Sequence, residues 1–147
     1  MRLLITLLLF STQLCFASKS KELAKKGELF YEAFECHHIA SDAGEKNESI
    51  RLFNVGMREG KIFIDSAKKG LIKVEDAKSH VPMIVMWSLN NQSTDFILGT
   101  LYKEAQDTAI KDIHGTKDEY YKRYFDKAYI KMMARSELDK RNAWLIK

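Results

Sequence analysis

The sequence predicts an all-α fold, with a single compact, bundle-like domain of five or six helices that follows a cleaved signal peptide. Apolar residues recur every three to four positions through most of the chain, and residues that typically begin or end helices stand between these stretches. The 147 residues include only one Pro and seven Gly, which argues against a β-sandwich, a collagen-like repeat or a low-complexity linker. The length suits one domain.

Residues 1–17 have the features of a secretory signal peptide. Arg2 supplies a positive charge, an apolar run from Leu3 to Phe10 follows, and small residues precede a cleavage position after Ala17. The apolar run is shorter than the roughly 20 residues that span a bilayer, so we expect no stable membrane anchor, although an uncleaved N-terminal anchor is the alternative. Residues 18–147 then form the helical domain, which is exported to the periplasm or secreted.

Charge and cysteine content narrow the functional classes further. The chain has 24 Lys and Arg against 20 Asp and Glu, a formal net charge of +4. This excess is too small to indicate a nucleic-acid partner, and the hydrophobic share of 46% indicates a packed core rather than a disordered chain. Cleavage after Ala17 also removes Cys15 and leaves Cys36 alone, so we expect no internal disulfide.

The first two helices of the domain are predicted from apolar rows. After a charged segment over 18–26 that we expect to fray, a helix extends from Glu28 to Gly44, where a glycine suits the residue after a helix end. Asn47 is the expected N-cap of the second helix, which ends at Gly70.

The remaining helices are shorter or more interrupted. A charged connector over 71–80 has room for one helical turn, and an apolar stretch over 82–89 is predicted as a short helix, with a buried strand as the alternative. The next helix extends from about Asp95 to His114, and one or two more follow. Their boundaries are marked by Pro82, by Ser93 or Thr94, by Gly115, by Thr116 with Glu119 as a capping box, and by Ser136.

Gly56 and Gly60 lie four residues apart on the apolar face of the second helix. Each costs about 1 kcal/mol relative to Ala inside a helix, so a compensating gain is expected. The close approach of another helix backbone would supply it. We favour a helix crossing within the chain over a dimer seam or a groove for a partner.

Residues of the types that bind metal ions are clustered only at Cys36, His37 and His38. Consecutive helical residues point about 100° apart, so these three cannot share one ion. His38 and Asp42 have the i, i+4 spacing of a shared ligand pair, but two ligands are too few for a structural zinc site. We therefore predict no metal, with His38 and Asp42 as the nearest candidates. The favoured interpretation buries Cys36, places His37 at the edge of the core and exposes His38.

No catalytic motif is present. The sequence lacks a Gly-x-Ser-x-Gly elbow, a His-Glu-x-x-His pair and a phosphate loop. Glu104, Asp107 and Asp112 are typical of a solvated helix face, although paired carboxylates also serve glycosidases. We expect no catalytic residue and no cofactor.

A tyrosine-rich basic segment is the candidate binding surface. Tyr120 and Tyr124 share one helix face and lie among basic residues that include Arg123 and Lys127. Aromatic and Arg side chains are enriched at protein interfaces. These four residues are the predicted binding residues.

Several stretches resemble a family of small, mostly uncharacterised exported proteins of Gram-negative bacteria. They are residues 30–36 (FYEAFEC), 52–56 (LFNVG) with Gly60 and Phe63-Ile64, 81–83 (VPM) and 95–99 (DFILG). The resemblance implies export and a helical fold, and it carries no established activity. It also implies a second cysteine near the C-terminus, where this chain has Asn142-Ala143-Trp144, so Cys36 would have lost a partner.

Together these features predict an exported periplasmic helical protein that is non-catalytic and binds another protein of the cell envelope. Exported helical proteins of this size include immunity proteins, so an inhibitor or immunity role is consistent with the size and fold class. The alternative is a small-ligand binder or an enzyme that acts on cell-envelope material. The sequence is also compatible with a homodimer.

Overall fold

A computed structural model describes residues 2–115 and 126–147, with side chains described from residue 19 onward in the first range. Every regular element in these ranges is helical, which confirms the all-α fold. The helices are α1 (Arg2–Ala43), α2 (Lys46–Lys68), α3 (Val74–His80), α4 (Met83–Ser88), α5 (Thr94–His114) and α6 (Lys127–Lys140), followed by a short 3-10 helix at Ala143–Leu145.

Glycines and a serine define the helix ends that the sequence marks. Gly44 and Gly70 follow α1 and α2 with φ of 77° and 67°, a left-handed backbone that favours glycine. Ser93 caps α5, because its hydroxyl oxygen accepts a hydrogen bond from the backbone N–H of Phe96 at 3.2 Å. The predicted cap at Asn47 is wrong: α2 begins at Lys46, and Glu45 stands at its N-cap position without a side-chain cap bond.

Two other expectations are also wrong. Residues 18–26 do not fray: they belong to α1, and the hydroxyl of the buried Ser20 donates to Asp76 at 2.6 Å and accepts from the backbone N–H of Lys73 at 2.8 Å. These contacts fix α3 against α1, which keeps this part of α1 ordered. Ser136 does not start a new helix but lies inside α6, which continues without a break from Lys127 to Lys140.

The core forms two clusters, and α1 takes part in both. The first is aromatic and joins α1 to α2, α4 and α5 through Phe30, Phe34, Phe63, Val85 and Leu98. The second is built from smaller side chains and joins α1 to α2, α5 and α6 through Cys36, Ile39, Leu52, Ile113 and Leu138. Because α1 lies between α2, α5 and α6, it is the central helix of the bundle.

Side chains pack directly against Gly56 and Gly60, and two of them are the aromatic rings of Phe34 and Phe30. A Cβ added at Gly56 would collide with the ring of Phe34, and one added at Gly60 would lie 2.5 Å from Leu98 Cδ2 and 3.1 Å from Phe30 Cδ2. The atoms nearest to both glycines are therefore side chains of α1 and α5 of the same chain. Gly27 of α1, which the sequence analysis missed, faces the ring of Phe63 in the same way, at 2.7 Å.

Among the described residues, no helix is long and apolar enough to cross a membrane.

The Gly56 contact predicts the effect of one added methyl group. The ring of Phe34 is held by Phe30 and Tyr102, with centroid distances of 5.9 and 5.3 Å, so it cannot move aside freely. Gly56→Ala should lower the free energy of unfolding by about 1–3 kcal/mol, measured by urea denaturation. Gly99 is the matched control, since a Cβ there meets nothing within 4 Å. Gly99→Ala should raise stability by up to about 1 kcal/mol. Equal shifts in both variants would contradict the ring contact.

Candidate functional site

His37 ties three helices together through its imidazole ring. Its Nδ1 lies 2.9 Å from the backbone oxygen of Ser49 and 2.9 Å from the Ser49 hydroxyl, and its Nε2 lies 2.9 Å from the hydroxyl of Tyr102. A carbonyl oxygen can only accept, so the bond to Ser49 requires Nδ1 to donate. The predicted place of His37 at the core edge is confirmed, since it is half-buried. Ser49 is 7% exposed, so the group fixes helices rather than offering a nucleophile.

His38 and Asp42 turn to different partners. His38 Nε2 lies 3.3 Å from the backbone oxygen of Tyr102, and the two rings pack with centroids 4.5 Å apart. Burial and the neighbouring His37 lower the pKa of His38 to about 4, which favours the neutral imidazole. The expectation that His38 faces solvent is therefore wrong, because the Tyr102 ring covers it.

Asp42 instead lies beside His114, with 3.9 Å between Asp42 Oδ2 and His114 Nε2. Across residues 19–115 and 126–147, no group of three or more His, Cys, Asp or Glu is placed to hold a metal ion.

Cys36 is a buried core residue, which confirms its favoured interpretation. It is fully buried in the second core cluster, and burial raises the pKa of its thiol to about 12. The neutral thiol therefore acts here as a small apolar side chain.

Arg141 joins the end of α6 to α1 and α5. Its guanidinium donates to Glu35 at 2.7 Å, to Asp112 at 2.5 Å and to Glu137 at 2.9 Å. Burial lowers the pKa of Arg141, but the carboxylates outweigh it and leave the pKa raised. For Glu35, burial raises the pKa, and this outweighs the opposing effect of Arg141. Both side chains are mostly shielded, with exposed fractions of 19% and 12%.

An open cavity of about 340 Å³ lies beside this cluster. Glu32 borders the cavity, and burial together with the charge of Glu28 raises its pKa. The cavity has charged side chains on its border that a small polar ligand could contact. The lining residues are Glu28, Tyr31, Glu32, Glu35, Pro82 and Arg141.

Residues 143–146 form an apolar turn whose backbone is fixed by hydrogen bonds from Arg51. Arg51 Nη2 donates to the backbone oxygen of Ala143 at 3.2 Å, and Nη1 donates to that of Ile146. Arg51 is itself held by Glu48, whose carboxylate accepts from Nε at 2.8 Å. Between the two anchored carbonyls, Trp144 and Leu145 are 49% and 73% exposed. We call residues 143–146 the C-terminal turn.

A second apolar surface lies at α4. Met83 and Trp87, one helical turn apart, are 62% and 76% exposed, and Phe96 at the start of α5 is 58% exposed. Val85 on the other side of α4 is fully buried. We call Met83, Trp87 and Phe96 the α4 corner. Both tryptophans of the chain thus lie on its surface.

The predicted binding residues are only partly described. Tyr120, Arg123 and Tyr124 lie outside the described residues. Lys127 is the first residue of α6 and is exposed. Neither tryptophan surface was predicted from the sequence, because an apolar run such as residues 83–89 is typical of a buried helix. The signal that could have found the α4 corner is that five of the six residues of α4 are apolar, so apolar side chains point in all directions around this short helix.

The Arg141 cluster predicts a pH-dependent effect on stability. Arg141→Met leaves Glu35 buried without its cation and should lower the free energy of unfolding near neutral pH by about 3 kcal/mol. Without Arg141 the pKa of Glu35 rises further, so its charge destabilises the fold above that pKa and the loss shrinks as falling pH protonates Glu35.

Urea denaturation at neutral and at mildly acidic pH measures this difference. Arg135→Met is the control, since Arg135 pairs with Glu45 on the surface and is 57% exposed, and its removal should change stability little. A loss for Arg141→Met that stays constant with pH would contradict the role of Glu35.

No protein-family model, curated protein or solved structure matches this chain.

Proposed function

We propose that this protein is an exported, non-catalytic helical domain that acts by binding another protein of the cell envelope through its C-terminal turn. An inhibitor or an immunity protein works in this way. The observation that carries the proposal is the turn itself, in which Trp144 and Leu145 are exposed while Arg51 holds the backbone on either side.

The physical argument concerns the cost of binding. Exposed Trp side chains are frequent hot spots of protein interfaces, because an indole buries a large area with few rotatable bonds. Ordering a loose segment costs free energy on association. Arg51 removes much of that cost, since its charge-assisted hydrogen bonds fix the turn before a partner arrives. A fixed, exposed apolar turn therefore suits recognition better than it suits stability.

The proposed location rests on the first residues of the chain. The positive Arg2, the apolar run that follows and the small residues before position 18 support secretion with cleavage after Ala17. We propose the periplasm or the extracellular space as the site of action.

Site-specific photo-crosslinking tests the proposal. A photoreactive residue at position 144 should trap a defined protein in the native compartment, whereas the same residue at the exposed position 111 should not. The trapped protein is then purified, and its affinity for the wild-type chain and for each variant is measured in solution. Trp144→Ser should weaken binding by about tenfold or more, while Trp87→Ser should leave it unchanged.

Two outcomes would contradict the proposal: no adduct specific to position 144, or equal affinity for wild type and Trp144→Ser. Tyr124→Ser, measured against the same partner, separately tests the tyrosine-rich basic segment predicted from the sequence.

The cavity beside Arg141 favours a second candidate function, in which the protein binds or cleaves envelope material. Glu32, with its raised pKa, is the group suited to hold a proton for transfer. An enzyme of this kind would release soluble fragments from purified cell-wall material, and Glu32→Gln would abolish that release with the fold intact. Glu22→Gln, at an exposed position of the same helix, is the control. Unchanged cell-wall material with the wild-type protein would rule out this candidate.

A further inference from the structure

Two imidazole rings join α1 to α5 at a single residue of α5. His37 and His38 follow each other on α1, and their ring centroids lie 4.9 Å apart. Both contact Tyr102: His37 Nε2 lies 2.9 Å from its hydroxyl, and His38 Nε2 lies 3.3 Å from its backbone oxygen. The attachment of α5 at this point therefore depends on two groups that can take up protons.

The hydrogen bond of His37 to Tyr102 requires a neutral imidazole. Because Nδ1 donates to the backbone oxygen of Ser49, Nε2 of the neutral ring has a free lone pair and accepts from the Tyr102 hydroxyl. A proton on Nε2 occupies that lone pair, so the hydroxyl must turn round or the contact must break. Protonation of His37 therefore removes the bond in its present form.

The surroundings of both rings disfavour a positive charge. Burial and then the neighbouring His37 lower the pKa of His38 to about 4. From α5, Lys103 opposes a charge on His38, while Asp107 favours it but is itself held at 2.6 Å by Lys103 Nζ. From α2, Ser49 offers His37 only neutral oxygens. No described carboxylate accepts a hydrogen bond from either ring, so a charged imidazole is better placed in water.

The ring of Tyr102 covers an apolar part of the core. Its centroid lies 5.3 Å from that of Phe34 and 5.7 Å from that of Phe53. Phe34 is fully buried, and Phe53 is half-buried. If Tyr102 moves outward, these two rings lose a neighbour and come into contact with water.

We infer that His37 and His38 form an acid-sensitive latch between α1 and α5. When the two rings take up protons, Tyr102 and the adjoining part of α5 separate from α1, and the apolar rings of Phe34 and Phe53 become exposed. The latch includes no residue of the C-terminal turn, so the inference goes beyond the proposed function and stands without it.

Proton linkage gives the direction of the effect. An imidazole in water has a pKa of about 6.5, whereas the pKa of His38 in the closed latch is about 4. Between these two values the open form binds more protons, so falling pH favours opening. Above this range both forms are neutral, and the latch is closed.

Dye binding across a pH series tests the inference on the full chain. From about pH 7.5 to about pH 4, wild type should bind increasing amounts of a dye for apolar surfaces, while its helical circular dichroism is retained. Each proton that drives opening changes the opening equilibrium by up to about tenfold per pH unit, so two protons give up to about 100-fold. Dye binding that stays constant over this range would overturn the inference.

His38→Phe keeps a ring against Tyr102 but removes one site of proton uptake. It should move the midpoint to lower pH and limit the response to about tenfold per pH unit. His80→Phe is the control, since His80 at the end of α3 takes no part in these hydrogen bonds, and it should behave as wild type does. A midpoint in His38→Phe equal to that of wild type would refute the latch. So would a response that disappears only in His114→Gln, because His114 is also buried, beside Asp42.

Tyr102→Phe should have the opposite effect. It leaves His37 Nε2 without its donor, so His37 takes up a proton more readily and the midpoint should move to higher pH, with dye binding at neutral pH still low. Tyr31→Phe is the matched control, because it removes another hydroxyl between α1 and α5, which lies 3.4 Å from Thr108 Oγ1. The midpoint of Tyr31→Phe should equal that of wild type. Equal shifts in the two variants would show that any lost hydroxyl loosens α5 and would contradict the role of His37.

Discussion

The packing of two α1 rings against the glycine face of α2 is the contact on which the rest of the structure depends. Phe30 and Phe34 occupy the space that side chains at Gly60 and Gly56 would fill. The loss of helix propensity at the two glycines is offset by burial of two aromatic side chains. Because α1 and α2 approach closely here, the remaining faces of α1 are free for α5 and α6, and α1 becomes the central helix.

Two arginines then fix the segments that carry the candidate sites. Arg141 fixes the end of α6 against α1 and α5, and Arg51 holds the carbonyl groups of the C-terminal turn against α2. Both draw their strength from charge-assisted hydrogen bonds in partly shielded surroundings. Arg51 therefore sets the position of Trp144, and Arg141 shapes the cavity near Glu32, so each candidate site depends on its own arginine.

Sequence reasoning succeeded where local rules decide. The helical class, the ends of α1 and α2 at Gly44 and Gly70, and the cap at Ser93 follow from backbone conformation and short-range hydrogen bonds. Contacts between residues far apart in the chain were not accessible in this way. Nothing local to Ser20 indicates that it will meet Asp76.

The candidate sites were harder to predict than the fold for the same reason. Arg141 and Glu35 are separated by 106 positions, and the sequence around each of them is typical of an ordinary charged surface residue. The exposure of Trp87 was also hidden, because an apolar run predicts burial and only the packing of α4 decides which side is covered. Sequence spacing did place Gly56 and Gly60 correctly, while the filling of their space by rings required the fold.

The central position of α1 has a consequence for biosynthesis. This helix is made before α5 and α6, yet its buried side chains pack against residues of these later segments, such as Leu138 and Ile146 in the second core cluster. The apolar faces of α1 therefore stay without their final neighbours until α6 and the C-terminal turn have been made. Such a chain completes its fold late, and a factor that shields α1 during synthesis would act on the segment most prone to aggregation.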